Sequence, residues 1–355
     1  MVSLELLGLR KAWPSATIDV SLVAPAGSIL AVAGPSGCGK STMLRMAAGL
    51  VRPDGGRVAV GGTDVTAAEP RDRGIGMVFQ DYALFPHLDV GGNVAYGLRP
   101  LRLGRAETAR RVARLLAAVD LDGFERRRPH ELSGGERQRV ALARTLAVEP
   151  SVVLFDEPLS SLDASLRKRL RADIVDEQRR LGFTAVYVTH DLEEAMAIGD
   201  TLAVMVGGEV LQCDAPSEVW ARPSSVEVAL FMGSGPCLPI RRLEREGGTL
   251  WARTSGGRFP MPEGPEPDLA SAPVVFFERS AAGPGGGTTG AEGSFEARCV
   301  RADFAGDAVD CLMDSAGDRF TLRFRRGEAP MEGGEASYSV PRGGLGVVSR
   351  SIRTP

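Results

Sequence analysis

Short apolar runs alternate with amphipathic stretches over the first two thirds of the chain. Five runs have the continuous apolar character of buried strands, and they lie at 28–34, 74–80, 151–156, 183–190 and 201–208. Helical stretches come between or after them, at 105–120, 135–148, 165–182 and 191–199. Because a parallel sheet must be covered on both faces, strands alternating with helices predict an α/β domain with a mainly parallel sheet. We assign this domain to residues 1–235.

The pattern changes after about residue 233. Shorter β-like runs follow at 272–279, 296–304 and 318–326. The Gly-rich segment 280–294 separates the first two and is typical of a loop. We therefore predict a second, small all-β domain over residues 236–355.

Composition narrows the function without assigning it. Among 355 residues the formal net charge is -3, so the basic excess of a nucleic-acid binder is missing and we expect no nucleic-acid partner. No apolar run reaches the length of a transmembrane helix, and the N-terminus has the pattern of a strand, not of a secretory signal. The five cysteines are scattered, as in proteins of a reducing cytosol. Any role at a membrane would come through a partner.

A phosphate-binding loop is predicted at Gly34-Pro35-Ser36-Gly37-Cys38-Gly39-Lys40-Ser41, which fits G-x-x-x-x-G-K-[ST] between a strand and a helix. Glycines let backbone N–H groups face phosphate oxygens, and the helix N-terminus adds positive charge. Lys40 can reach the β- and γ-phosphates, and Ser41 can bind Mg²⁺. We include Thr42, the next residue, in the predicted binding set. Alone, the loop indicates only a nucleotide.

Two carboxylates lie at the end of the run 151–156: the first is its last residue, and the second follows directly. Asp156 is placed to hold the magnesium shell, and Glu157 is placed to polarise an attacking water. The alternative is a strand that ends in acidic residues before a proline turn. The phosphate loop in the same chain favours the catalytic interpretation.

The segment Leu132-Ser133-Gly134-Gly135-Glu136-Arg137-Gln138 has two interpretations. Ser133 and Glu136 have the spacing of a capping box, which would serve stability alone. The same serine, glycines and free helix N-terminus also suit an anion. These residues by themselves do not decide between the two.

Taken in order, the motifs resemble those of the ABC transporter ATPase family. The segment 132–138 is similar to the LSGGQ signature, with Glu136 in place of glutamine. The family's Q-loop, D-loop and switch histidine are resembled by 76–88, 160–163 and 188–191, which contain Gln80, Asp163 and His190. Trp13 occupies the place of the adenine-stacking aromatic. The match covers about the first 235 residues.

The resemblance implies a P-loop ABC ATPase fold with a helical subdomain at about 88–150. It also implies a head-to-tail dimer that encloses MgATP between Lys40 and its neighbours on one chain and Ser133, Gly134 and Gly135 on the other. Asp163 belongs to the implied nucleotide set, Gln80 to the metal and catalytic sets, and His190 to the catalytic set. Lys40 and Glu157 complete the catalytic set.

The segment after Gln80 resembles importer ATPases of the ferric iron, polyamine, maltose and thiamine group. The β-rich tail is similar in placement to their OB-like regulatory domain, often called TOBE. The resemblance implies transmembrane permease subunits as partners, an extracytoplasmic solute-binding protein acting indirectly, and a place on the inner face of the cell membrane. Ferric iron or polyamine is the expected cargo.

Three other function classes compete with this interpretation. A soluble P-loop enzyme, such as a small-molecule kinase, would not need the segment 132–138. A non-transport ABC ATPase would usually carry long coiled coils or tandem cassettes, which this sequence lacks. A catalytically inactive scaffold is disfavoured because every catalytic position is filled.

Overall fold

A computed structural model describes residues 1–160, 164–233, 235–262, 266–284 and 293–349. These residues form two compact units, 1–216 and 217–355. Within the described ranges, no helix is long and apolar enough to cross a bilayer. The α/β class with a separate all-β region is confirmed.

The first unit is built on one ten-stranded sheet in the order β5-β4-β1-β2-β10-β9-β3-β8-β7-β6. Its strands are β1 Leu4–Trp13, β2 Ala16–Ala24, β3 Ile29–Ala33, β4 Gly55–Val60, β5 Thr63–Asp64, β6 Ile75–Val78, β7 Val152–Asp156, β8 Thr184–Thr189, β9 Thr201–Val206 and β10 Glu209–Asp214. From β9 through β3, β8 and β7 to β6 neighbouring strands run parallel. At the other end of the sheet, β5, β4, β1 and β2 pair antiparallel with their neighbours in this group.

The burial of the central strands explains why they could be predicted from the sequence. Every residue of β3, β7 and β8 is buried, as the continuous apolar runs predict. In β2, by contrast, buried and exposed residues alternate, as expected for a strand with one face exposed to solvent. Separate apolar clusters cover the two faces of the sheet, one with α1 and the other with α2–α5.

The helices of the first unit are α1 Lys40–Ala47, α2 Val90–Leu98, α3 Arg105–Ala117, α4 Gly134–Leu146, α5 Ala164–Leu181 and α6 Leu192–Ile198. Short helices α7 Pro216–Ala221 and α8 Val226–Met232 follow. Helices α2, α3 and α4 pack against one another inside the expected helical subdomain, whose limits at 88–150 stay a prediction.

The second unit contains β11 Cys237–Pro239, β12 Arg242–Glu246, β13 Thr249–Arg253, β14 Gly257–Pro260, β15 Val274–Phe277, β16 Gly283–Pro284, β17 Gly293–Ala305, β18 Ala308–Ser315, β19 Asp318–Arg325, β20 Glu335–Val340 and β21 Leu345–Val348. Its strand pairs are antiparallel and enclose one apolar core. The second compact unit includes α8, since the N–H of Val226 donates to the carbonyl of Ser349. The domain limits 1–235 and 236–355 stay a prediction.

The predicted loop 280–294 is partly structured. Gly283 and Pro284 pair with Ser339 and Tyr338 of β20, and β17 begins at Gly293. Backbone pairing with a distant strand overrides the loop tendency of glycine at both ends of this segment. Residues 285–292 lie outside the described ranges.

Candidate functional site

The loop between β3 and α1 has the backbone of a phosphate cradle. Gly37 and Gly39 adopt positive φ angles of 79° and 105°, which favour glycine. A Cβ on Gly34 would lie 2.0 Å from the carbonyl oxygen of Met205 in β9. Gly39 caps α1 without a side-chain hydrogen bond, so the helix N-terminus is open to an anion. Pro35 and Ser36 are exposed on the loop.

Lys40 folds back over this loop. Its Nζ donates to the carbonyls of Gly34 at 2.7 Å and Pro35 at 3.0 Å, and the residue is only 4% exposed. Cys38 is buried, its Sγ 3.8 Å from Nζ and its N–H donating to Pro35. The buried ammonium therefore lies beside the loop backbone that would face phosphate oxygens in a cradle of this shape.

Ser41 and Asp156 form a hydroxyl–carboxylate pair. Ser41 Oγ donates to Asp156 Oδ1 at 2.7 Å, and Asp156 is 5% exposed at the end of β7. Oxygen donors of these two types are the ligands that Mg²⁺ prefers, and Mg²⁺ keeps its other positions for water and phosphate. The residues present therefore fit the ion. Thr42, next along α1, is half-buried.

Glu157 and His190 meet beyond the ends of two neighbouring strands. Glu157 Oε2 lies 2.9 Å from His190 Nδ1, while the N–H of Glu157 donates to the carbonyl of Val188. Glu157 has a φ of 47°, an unfavourable value for a residue with a side chain, and it turns the chain sharply away from Asp156. The two adjacent carboxylates thereby reach different partners.

Gln80 joins the same group through a residue to which the sequence assigned no role. Its Nε2 donates to Ser160 Oγ at 3.1 Å, and Ser160 Oγ donates to the carbonyl of Glu157 at 3.0 Å. The described hydrogen bonds connect Gln80 to the Glu157 side of the site, not to Ser41 or Asp156. Its predicted part in the metal shell stays a prediction.

A buried carboxylate beneath His190 was also missed. Thr189 Oγ1 donates to Glu194 Oε2 at 2.8 Å, and Tyr187 OH donates to Glu194 Oε1. Thr189 Oγ1 in turn accepts from the N–H of Asp191. Burial raises the pKa of Glu194 and of Tyr187. This network fixes the backbone on both sides of His190.

The signature-like segment forms the predicted capping box. Ser133 Oγ accepts from the N–H of Glu136 at 3.3 Å, and Glu136 Oε2 accepts from the N–H of Ser133 at 2.6 Å. The second bond lowers the pKa of Glu136. Gly135 packs tightly, because a Cβ there would lie 2.8 Å from Leu170 of α5. Gly134 opens α4.

Two predicted nucleotide contacts remain, Trp13 and Asp163. Trp13 ends β1 with 40% of its surface exposed, and Lys11 Nζ lies 5.8 Å from its ring centroid. Asp163 lies outside the described residues.

The contacts thus assemble most of the predicted site. Asp156, Glu157 and His190 meet at the carboxyl edge of the parallel strands, and Lys40 and Ser41 enter from the loop after β3. Ligands of open α/β sheets bind at this edge.

Comparison with known proteins agrees with this geometry. Residues 18–160 match the family described as ABC transporter. The Fe(3+) ions import ATP-binding protein of Rhizobium etli is 47% identical over 256 residues, which cover 72% of this chain and 72% of that protein. The sn-glycerol-3-phosphate import ATP-binding protein of Chromohalobacter salexigens is 44% identical over 81% of this chain and 79% of its own. A Fe(3+) ions import ATP-binding protein of Rhizobium meliloti is 43% identical, with 84% and 83% covered.

Proposed function

Because this chain belongs to the ABC transporter family of import ATP-binding subunits, as its ordered motifs predicted, we propose that it couples MgATP binding and hydrolysis to solute uptake through a separate permease. The family is one of ATPases, and this chain is an enzyme of that class. The cargo, the partners and the role of each residue are parts of the proposal.

The observation that carries the proposal is the divergence of two consecutive carboxylates. Asp156 faces Ser41 of the phosphate loop, whereas Glu157 faces His190. Metal binding and water activation need carboxylates in different places a few ångströms apart. One strand end supplies both.

Each side chain has a distinct task in this scheme. Ser41 and Asp156 would hold Mg²⁺, which supplies charge neutralisation at the phosphate oxygens when bound. Lys40 exchanges the carbonyls of Gly34 and Pro35 for phosphate oxygens. Glu157 Oε2 orients the attacking water and accepts its proton, and His190 Nδ1 holds that carboxylate in place. Which His190 nitrogen carries the proton is set by its hydrogen bonds.

Gln80 and Ser160 are linked to the backbone of the same residue, Glu157. Since Ser160 bridges the Gln80 amide and the carbonyl of Glu157, a change at the γ-phosphate reaches Gln80 through one hydroxyl. Gln80 then begins the segment that leads to the permease. This gives hydrolysis a short physical route to the docking surface.

The signature residues act from a second copy of the chain. Ser133, Gly134 and Gly135 would close the nucleotide held by the partner's phosphate loop, in a head-to-tail dimer. The half-exposed ring of Trp13 offers an aromatic face to adenine. Permease subunits would hold this dimer at the inner face of the membrane, where an extracytoplasmic binding protein delivers the solute on the other side.

Ferric iron is our first candidate cargo. Two of the relatives above are named for Fe(3+) import and one for sn-glycerol-3-phosphate import. Glycerol phosphate is accordingly the second candidate, and polyamine stays a prediction from the sequence. Uptake of labelled ferric iron or glycerol phosphate by cells with and without this chain would decide between them.

The test of the mechanism compares wild type with Glu157→Gln on a sizing column, with and without MgATP. We expect the variant to form an ATP-dependent dimer and its steady-state hydrolysis to fall by ~10² or more, the scale of a lost general base. Glu193→Gln, which changes an exposed carboxylate on α6, is the matched control and should leave both measurements unchanged.

Near-normal hydrolysis by Glu157→Gln would contradict the assignment of the base. A variant that stays monomeric with ATP, while wild type still hydrolyses it, would favour the soluble-enzyme alternative and reduce the signature to a helix cap.

A further inference from the structure

The chain makes a left-handed turn just after Gln80. Tyr82 and Ala83 have φ angles of 60° and 46°, and neither is a glycine. Consecutive L-residues in this region are strained and persist only where the surrounding structure holds them. The path from Gln80 to the exposed residues Pro86 and His87 therefore depends on contacts from elsewhere in the fold.

Those contacts come from Arg144, in the last turn of α4. Its Nη2 donates to the carbonyl of Tyr82 at 2.8 Å and its Nη1 to that of Ala83 at 2.6 Å. The guanidinium also lies 5.6 Å from the ring centroid of Phe85. Burial lowers the pKa of Arg144, but arginine stays charged in proteins. A half-buried cation and a strained turn hold each other in place.

Arg144 shares its helix with the signature serine. Ser133 is the N-cap of α4, about 16 Å from Arg144 along the helix axis at 1.5 Å per residue. Helix α2 packs closely on the same end, since a Cβ on Gly97 would lie 2.6 Å from the carbonyl oxygen of Arg144. A hydrogen-bonded helix packed in this way moves as one piece.

A second anchor fixes the far side of the turn. Buried Asn93 of α2 accepts from the N–H of Phe85 at 2.8 Å and donates to its carbonyl at 3.2 Å. Phe85 is therefore tied to α2 and the turn to α4, whereas Gln80 is tied to Ser160 in the catalytic group. The turn at residues 82–83 is the junction between the two sets of contacts.

We infer that Arg144 is a positioning residue that transmits an ATP-dependent movement of α4 to the surface at Phe85–His87. The inference rests on the proposed function, because it needs ATP to engage Ser133 in a dimer. Coupling between two sites is reciprocal, so a partner bound at Phe85–His87 acts back on Ser133 through the same two hydrogen bonds.

Hydrogen–deuterium exchange of the full chain tests this without the permease. In the Glu157→Gln background, MgATP should slow exchange both in the phosphate loop, 34–41, and in the turn segment, 82–88. Adding Arg144→Met should leave the response of the phosphate loop intact. The turn segment should then exchange faster by about tenfold or more, with no remaining response to ATP.

The substitution Ala83→Gly distinguishes transmission of the ATP response by Arg144 from simple mechanical support of the turn. Glycine adopts a positive φ without strain, so adding Ala83→Gly to Arg144→Met should slow exchange in the turn again. The ATP response of the turn should stay absent, because the link to α4 is still missing. Arg110→Met, which removes an exposed arginine paired with Glu107 on α3, should change neither segment.

The inference would be overturned if the ATP response at 82–88 survived Arg144→Met. It would also be overturned if that response returned when Ala83→Gly is added to Arg144→Met. Should Arg144→Met fail to fold, Arg144→Lys keeps the charge but cannot bridge two carbonyls as a planar fork does; it must reduce the ATP response at 82–88 for the inference to stand. A parent in which the phosphate loop itself ignores ATP would overturn the proposed function, and this inference with it.

Discussion

Arg73 holds the C-terminal end of the phosphate-loop helix, and its removal gives a prediction with a defined magnitude. The residue is 5% exposed. Its guanidinium donates four hydrogen bonds, to the carbonyls of Met46 at 3.0 Å, Ala47 at 2.9 Å, Thr66 at 2.7 Å and Ala68 at 3.0 Å. Two of these carbonyls belong to the last turn of α1, where carbonyls lack the partners they have in the helix interior; that of Met46 also accepts from the N–H of Gly49 at 3.1 Å. A cation there also opposes the negative end of the helix dipole.

Arg73→Met should destabilise the first unit by ~3–5 kcal/mol, because several buried carbonyls lose their donor and each buried acceptor left unsatisfied costs about 1–3 kcal/mol. A hydrogen bond to a charged group is worth about 1.5–3 kcal/mol, but four do not add, because the guanidinium loses its hydration to make them. Burial indeed lowers the pKa of Arg73. Methionine fills part of the space but cannot donate to the four carbonyls.

Urea unfolding followed by Trp13 fluorescence measures this locally. Trp220 and Trp251, the other two tryptophans, both lie in the second unit and are replaced by phenylalanine in every sample. We expect the Arg73→Met midpoint to fall by roughly 1–3 M urea. Arg71→Met is the matched control, since Arg71 is 82% exposed at its side chain and pairs only loosely with Asp72 at 3.6 Å. A difference between the two variants below about 1 kcal/mol would refute the reasoning.

Two further predictions concern the loop and a buried acid. Gly34→Ala places a Cβ against the backbone carbonyl of Met205, so ATP affinity should fall about tenfold or more, equivalent to ~1.4 kcal/mol, in a fluorescent-nucleotide titration; unchanged affinity would contradict the fit of the cradle. Burial raises the pKa of Glu177 from 4.5 to about 7. Between these values the unfolded carboxyl is ionised while the folded one keeps its proton, so stability falls as pH rises through this window. Glu177→Gln should remove ~2–3 kcal/mol of that fall, measured by urea unfolding near pH 5 and near pH 8, and an unchanged pH dependence would count against the burial of this acid.

The sequence predicts those parts of the fold that leave a local pattern of residues in the chain. Strands β3, β7 and β8 are buried on both faces, and an uninterrupted apolar run is the direct consequence. Helix α4 was also placed well, because Ser133 and Glu136 mark its start. The phosphate loop can be predicted from the spacing of its glycines, because the backbone path of such a loop requires glycine at these positions.

Buried and half-buried polar residues with partners elsewhere in the fold escaped prediction. Arg73, Arg144 and Glu194 carry no periodic signal, and in sequence each resembles a solvated charge. Their partners are carbonyls or hydroxyls brought near by tertiary structure, some of them many residues away in the chain. The contacts of Ser160, a member of the D-loop-like segment, were missed for a related reason: its hydroxyl meets the carbonyl of Glu157 and the amide of Gln80 only in the folded chain.

The two interpretations of Ser133 turn out not to compete. A hydroxyl has one donor and two acceptor sites. In the capping box Ser133 Oγ accepts a hydrogen bond from Glu136, and it is the carboxylate of Glu136 that satisfies the N–H of Ser133. The cap therefore uses an acceptor site of the hydroxyl, whereas a phosphate oxygen would need its proton. Stability and the proposed nucleotide contact would draw on different parts of the same group, because the capping bond leaves the proton of the hydroxyl for a phosphate oxygen.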